Sequence, residues 1–299
     1  MEINTISYEE SYSDVHKAVE WLARQGFDYS KTRIGFYERT IKELVNTYQT
    51  ASREKLNGAF PKHAKAIYEI FDLIAIHQGL SRLSDAAVPP LLKKYLGGPE
   101  TYSDENTTTS SNLGRNTAFQ LLVAARLSDA NLVPRLEEPS DIGFPFEGYS
   151  IFVECKRPQE KSGIRASIKG ARHQLKRRLD SRASPSKAGM IALDFSKIFN
   201  PKLHLLFKET PGELKTWLDA ITNSFLAENV SLWQKPQKTK ILGVLTHFSL
   251  MAVVVDRDLL THCRQFALNP MEACGSTLKS MALRLADSLG STSREKLIT

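Results

Sequence analysis

The sequence has little of what would fix its chemistry at a glance. Three cysteines in 299 residues (Cys155, Cys263 and Cys274) are an odd number without paired spacing. That argues against a disulfide scaffold and a thiolate zinc site, and it points to a reducing cytoplasm. The seven histidines (His16, His63, His77, His173, His204, His247 and His262) form no close metal-ligand pair. No Gly-rich loop ending in Gly-Lys-Ser/Thr occurs, so no ATPase activity is expected from this chain itself. The opening Met1-Glu2-Ile3-Asn4-Thr5 has neither a basic nor an apolar stretch, and no signal peptide is expected. The apolar run 241–255 is too short for a bilayer span and is broken by Thr246, His247 and Ser249, so no membrane partner is expected. Acids are also the scarcer charge, 33 against 40 Lys and Arg, for a net charge of +7. An excess of positive charge calls for an acidic partner, and nucleic acid is the economical choice. The remaining composition, 41% hydrophobic and 24% charged, is that of a soluble globular chain with room for one large or two ordinary domains.

What is present is a hairpin pattern. Residues 149–156, Tyr-Ser-Ile-Phe-Val-Glu-Cys-Lys, are mostly aromatic and β-branched, as a strand requires. Period-two alternation puts Ile151, Val153 and Cys155 on one face and Phe152, Glu154 and Lys156 on the other. Glu147-Gly148 fits a two-residue turn, because Gly tolerates the positive φ that tight hairpins need. In that register paired residue numbers sum to 295, which sets Asp141 opposite Glu154, about 5 Å apart at Cβ. Two carboxylates so close raise one pKa unless a cation bridges them. Their hard oxygens suit Mg²⁺ or Mn²⁺, and Lys156 adds a positive charge on the same face.

Ser140-Asp141, twelve intervening residues, then Glu154-Cys155-Lys156 resembles the PD-(D/E)XK nuclease superfamily. The resemblance covers about 110–260, with Arg157-Pro158 where such nucleases leave the strand. It implies a restriction-endonuclease-like α/β core, a mixed central sheet flanked by helices, in the order α-β-β-β-α-β. It also implies Mg²⁺ or Mn²⁺ held by Asp141, Glu154 and the Cys155 carbonyl. Lys156 would act on the attacking water or the phosphorane-like charge, and the products would carry 5′-phosphate and 3′-hydroxyl ends. Related nucleases often place an acid in the first helix, where this chain has Gln120; Glu138 is a substitute candidate. Several also carry a helix glutamine after the E-x-K strand, with Tyr four residues on. Here Gln174 is followed at that spacing by Arg178, so that submotif is half present.

The flanking segments fit this order. Residues 112–128 read as the first helix, 132–137 as a first strand, 189–195 as a buried central strand and 212–229 as an amphipathic helix. Residues 241–250 and 251–255 read as two further strands. Residues 161–187 hold nine Lys/Arg and one acid, Asp180. On a helix over 164–179, Ile164, Ile168, Ala171, Leu175 and Leu179 make an apolar stripe, and Arg165, Lys169, Arg172 and Lys176 make a basic one. A row of cations beside the hairpin is the expected footprint of a phosphate-backbone reader. Residues 9–25, 33–49 and 61–78 show amphipathic helical spacing, and 97–111 is Gly/Pro- and Ser/Thr/Asn-rich like a linker. We therefore expect a helical accessory region over 1–105 and a nuclease-like domain with a C-terminal helix over 106–299. The accessory region has three open roles: binding a partner subunit, contacting DNA, or packing on the core. The expected activity is a metal-dependent deoxyribonuclease working beside a helicase or ATPase partner, in a defence or DNA-processing setting. An inactive nucleic-acid-binding or assembly subunit, and an RNA-cleaving toxin, are the alternatives.

Overall fold

A two-residue turn sets one end of the sheet. Glu147 and Gly148 both take positive φ, 47° and 79°, the backbone that lets two strands of natural twist meet without splaying. In the computed structural model, which describes all residues except 1–2, 7, 49, 84–87, 101–103, 106–111, 137–139, 181–185, 235–238, 258, 291–294 and 299, this turn joins two strands in the expected register. Ile142 faces Val153, and Phe146 faces Tyr149.

The elements in order are β1 (Ile3–Ile6), α1 (Tyr8–Arg24), α2 (Arg33–Thr47), α3 (Arg53–Leu80), α4 (Val88–Tyr95), α5 (Leu113–Asp129), β2 (Ile142–Phe146), β3 (Tyr149–Lys156) and α6 (Gly163–Leu179). Then follow β4 (Lys187–Asp194), α7 (Ser196–Phe199), β5 (Leu206–Lys208), α8 (Pro211–Trp233), β6 (Ile241–Val254), β7 (Leu259–Pro270), α9 (Ser276–Gly290) and β8 (Glu295–Ile298). Thr32, Ser52 and Thr210 start α2, α3 and α8 by accepting the amides of Ile34, Lys55 and Glu213, as N-cap oxygens do.

The protein is α/β, with a mixed eight-stranded sheet in the order β1-β8-β7-β6-β4-β3-β2 and β5 beside β6. β4 runs parallel to both β3 and β6, and every residue of it is buried. Its side chains alternate between two apolar layers. Ala188, Met190 and Ala192 join the layer of α1–α5 and α9, while Ile191 and Leu193 join that of α6 and α8.

Three expectations change. The first strand expected over 132–137 is reduced to a single bridge between Arg135 and Gly143. The two strands expected over 241–255 are one 14-residue strand, β6, whose first half pairs with β4 and whose end pairs with β5. Finally, the boundary expected at 105 does not divide the core: one apolar cluster runs from Val15 in α1 through α3 and α5 to Ile151, Met190 and Leu285. The helical region packs on the sheet. At Gly79 of α3, an added Cβ would lie 2.6 Å from Cα of Ala125 in α5, so only glycine allows this approach.

A buried charge network ties the helical layer to the sheet. Glu69 of α3 accepts from Arg33 Nη1 at 2.8 Å and from Arg115 Nε at 2.8 Å, with all three side chains at most 5% exposed. Arg157, just past β3, holds Glu105 with two 2.9 Å bonds and Asp194 with one of 3.2 Å. Glu105 also takes the ammonium of Lys197 at 3.2 Å. Far from being part of an exposed linker, Glu105 is 6% exposed. His247 Nδ1 lies 3.0 Å from Asp194 Oδ1. Burial works against the charge on Asp194, but His247, Arg157 and Ser196 hold its carboxyl down to about 2.

Glu69→Ala strips two buried guanidiniums of their shared carboxylate and is expected to cost about 3–5 kcal/mol, measured by urea denaturation. Asp194 gives a pH signature. An unfolded aspartate titrates near 3.9, so the stability this residue contributes is present above about pH 4 and lost as pH falls toward 2. Wild-type stability should therefore drop more steeply than that of Asp194→Asn across this window in denaturation series at stepped pH.

Candidate active site

The hairpin register decides what meets at its open end. Asp141 lies one residue before β2, and its Oδ2 accepts the Cys155 amide at 2.7 Å. From α5, Gln120 donates its side-chain amide to the Asp141 carbonyl at 2.6 Å. Gln120 thus reaches the hairpin at the backbone of Asp141. Asp141, Cys155 and Lys156 line a cleft of about 240 Å³, together with Asn116, Thr117 and Gln120 of α5 and Lys94 of α4.

Glu154 does not open onto this cleft. Strand alternation alone would leave it on an exposed face, but its side chain is fully buried. The face it shares with Phe152 is covered by α6, which packs on β3 and β4. A carboxylate there needs cations, and it has two. Arg178 of α6 reaches Oε1 with Nε and Nη2, each at 2.9 Å, and Lys156 Nζ lies 3.4 Å from Oε2. Burial and then the negative charge of Asp141 push the Glu154 carboxyl up, against the pull of Lys156 and Arg178. Continued by one residue, the register of β2 and β3 sets Asp141 opposite Glu154. Burial and the charge of Asp141 also lift the Cys155 thiol well above its usual range, which disfavours thiolate chemistry there.

Helix α6 carries both stripes, and they point apart. Ile164, Ile168, Ala171, Leu175 and Leu179 are all buried. Arg165, Lys169 and Lys176 are exposed, and Arg172 is partly buried, donating to the Trp233 carbonyl of α8 at 3.2 Å. Lys161 pairs with Glu228 of α8 at 3.5 Å. At roughly 100° per residue, Gln174 and Arg178 fall on the other flank of the apolar stripe. The basic stripe therefore borders α8, and Arg178, not the stripe, supplies the cation beside the hairpin. Arg178 is a site residue that the sequence reading misses. Its signal is its place four residues after Gln174, on the same helix flank.

The donor chemistry of Asp141, Glu154 and the Cys155 carbonyl fits a hard divalent ion such as Mg²⁺ or Mn²⁺. Among the described residues, no group of three or more His, Cys, Asp or Glu is placed to hold a metal ion. Glu138, the substitute acid, lies outside the described residues. The fit therefore rests on two carboxylates, one of which already holds two side-chain cations. No protein-family model, curated protein or solved structure matches the chain.

The Asp141–Cys155 bond has its own readout. A hydrogen bond to a charged acceptor contributes about 1.5–3 kcal/mol. Asp141→Ala should accordingly speed hydrogen exchange of the Cys155 amide by roughly 10- to 100-fold, with little change at the Ile151 amide deeper in β3.

Proposed function

We propose that the protein is a divalent-metal-dependent nuclease with a restriction-endonuclease-like core, acting on DNA. The observation that carries this reading is the meeting of Asp141, Glu154 and Lys156 at the open end of one hairpin, beside a cleft. The order α5, β2, β3, α6, β4 supports it, as does the parallel placement of β4 next to β3. A divalent ion on Asp141 and Glu154 would supply positive charge to the scissile phosphate and acidify an attacking water. The chain's own residues do the rest. Asp141 is fixed by the Cys155 amide, so it needs no reorganisation to act as a ligand. Lys156 stands between Glu154 and the cleft, placed to hold a water or to stabilise charge growing on a phosphate oxygen. Lys94 and the exposed Arg165, Lys169 and Lys176 would hold the backbone of the nucleic acid. With no nucleotide-binding loop in the chain, a separate helicase or ATPase would supply any motor, in the cytoplasm.

A second reading has its own support. Glu154 is engaged by Arg178 and Lys156, and a site so neutralised fits an inactive nucleic-acid-binding or assembly subunit.

Cleavage assays on duplex DNA, single-stranded DNA and RNA, with Mg²⁺ or with EDTA, separate these readings. The nuclease reading expects Mg²⁺-dependent cutting of DNA that falls by about 10²-fold or more in Glu154→Gln and in Lys156→Ala. Binding without cutting in any metal supports the inactive subunit, and cutting confined to RNA supports the toxin. Replacing Arg165, Lys169 and Lys176 by Ala should lower the slope of log affinity against log salt by about 0.9 for each phosphate that these side chains neutralise. An unchanged slope removes the stripe from the interface.

A further inference from the structure

Two demands meet on the Glu154 carboxylate, one from a metal ion and one from a side-chain cation. Glu154 is buried, absent from the cleft lining, and held at Oε1 by both Nε and Nη2 of Arg178. A metal ligand must turn an oxygen lone pair toward its ion, and here Arg178 takes those of Oε1 while Lys156 lies at Oε2. The Arg178 side chain is 16% exposed, against 3% for Arg157 in the structural network, so solvent and a ligand can reach it. It reaches β3 from the flank of α6 opposite the basic stripe. Arginine binds phosphate with the same planar fork that it uses for carboxylate.

We propose that Arg178 is the built-in counter-ion of Glu154 and that it competes with the divalent ion for this carboxylate. On this account the site becomes complete when a nucleic-acid phosphate draws the guanidinium away. Glu154 then passes from Arg178 to the metal, and Arg178 passes from Glu154 to the phosphate. No buried charge is left unpaired at either stage, which avoids the cost of a lone carboxylate in the interior. Because metal and nucleic acid both oppose the Arg178–Glu154 pair, each strengthens the binding of the other, and by linkage the factor is the same in both directions. The arrangement would keep the site from assembling around free metal alone. The inference rests on the metal-dependent reading above and adds to it the order of events at Glu154.

The test is a Mn²⁺ titration of the full chain, followed by the paramagnetic resonance signal of free Mn²⁺, for the wild type, Arg178→Gln and Arg178→Lys. Each is measured alone and with a phosphorothioate DNA duplex, alongside thermal melting. The expected result is Mn²⁺ affinity about tenfold higher in Arg178→Gln than in the wild type. DNA should tighten Mn²⁺ binding to the wild type and add little in Arg178→Gln. Arg178→Lys keeps the charge but loses the fork and should fall between the two. It decides the matter if Arg178→Gln does not fold. Equal Mn²⁺ affinity in the wild type and the folded variants, abolished in each by Glu154→Gln, overturns the competition while leaving the metal site standing. An absence of Glu154-dependent Mn²⁺ binding in every form, with or without DNA, overturns both.

Discussion

A turn of two residues, both with positive φ, forces β2 and β3 into one register, and the site depends on that register. It brings Asp141 level with the end of β3, where its carboxylate takes the Cys155 amide. The Glu154 side chain, one residue back from Cys155, is buried in the layer beneath α6. A slip of one residue would exchange the two faces of β3, burying Lys156 and Cys155 differently and expelling Glu154. The register thus places two carboxylates within electrostatic reach, and the physics of burial then requires compensating cations. Arg178 and Lys156 meet that requirement from two different elements. Their presence ties the position of α6 to the chemistry of the hairpin.

The helical layer is bound to this site through charge as well as apolar contact. Arg157 follows Lys156 directly and is clamped by Glu105 and Asp194, so the strand end that carries Lys156 cannot swing freely. Asp194 closes β4 and reaches His247 on β6, while Glu69 gathers Arg33 and Arg115 from two other helices. Together these pairs run from α2 to the centre of the sheet. Buried ion pairs contribute little net stability relative to apolar packing, but removing one partner is costly. Their effect is to fix one arrangement of helices on the sheet. Gln120 reaches Asp141 from α5, the helix that bears Arg115, so this layer also forms one wall of the cleft.

The elements legible in the sequence are those with a clean period. The hairpin follows from alternation and Gly148, and α6 from five apolar residues on one stripe. β4 follows from an unbroken apolar run between polar ends. β6 reads as two strands because 14 residues far exceed a usual strand of about 5–6. α4 is not anticipated, since Pro89 and Pro90 read as breakers, although proline is tolerated in a first helical turn. β7 carries polar residues such as Thr261, His262 and Arg264 among its apolar ones, and it has no simple alternation to find. Within the site, Asp141, Cys155 and Lys156 are placed together by the hairpin's local rules, whereas Gln120 reaches Asp141 from α5 through the tertiary fold. The burial of Glu154 and its pairing with Arg178 depend on how α6 crosses over β3. Glu105 illustrates the same limit: in a Ser/Thr/Asn-rich stretch an acid reads as solvated, and only the tertiary fold delivers Arg157 and Lys197 to it.

Anomalous diffraction at the manganese edge, from crystals of the chain grown with Mn²⁺ and a phosphorothioate DNA duplex, tests the central claim most directly. The account predicts an anomalous peak between the carboxylates of Asp141 and Glu154, with the Arg178 guanidinium on a phosphate. No peak at these carboxylates, with DNA bound and Arg178 still on Glu154, would contradict it.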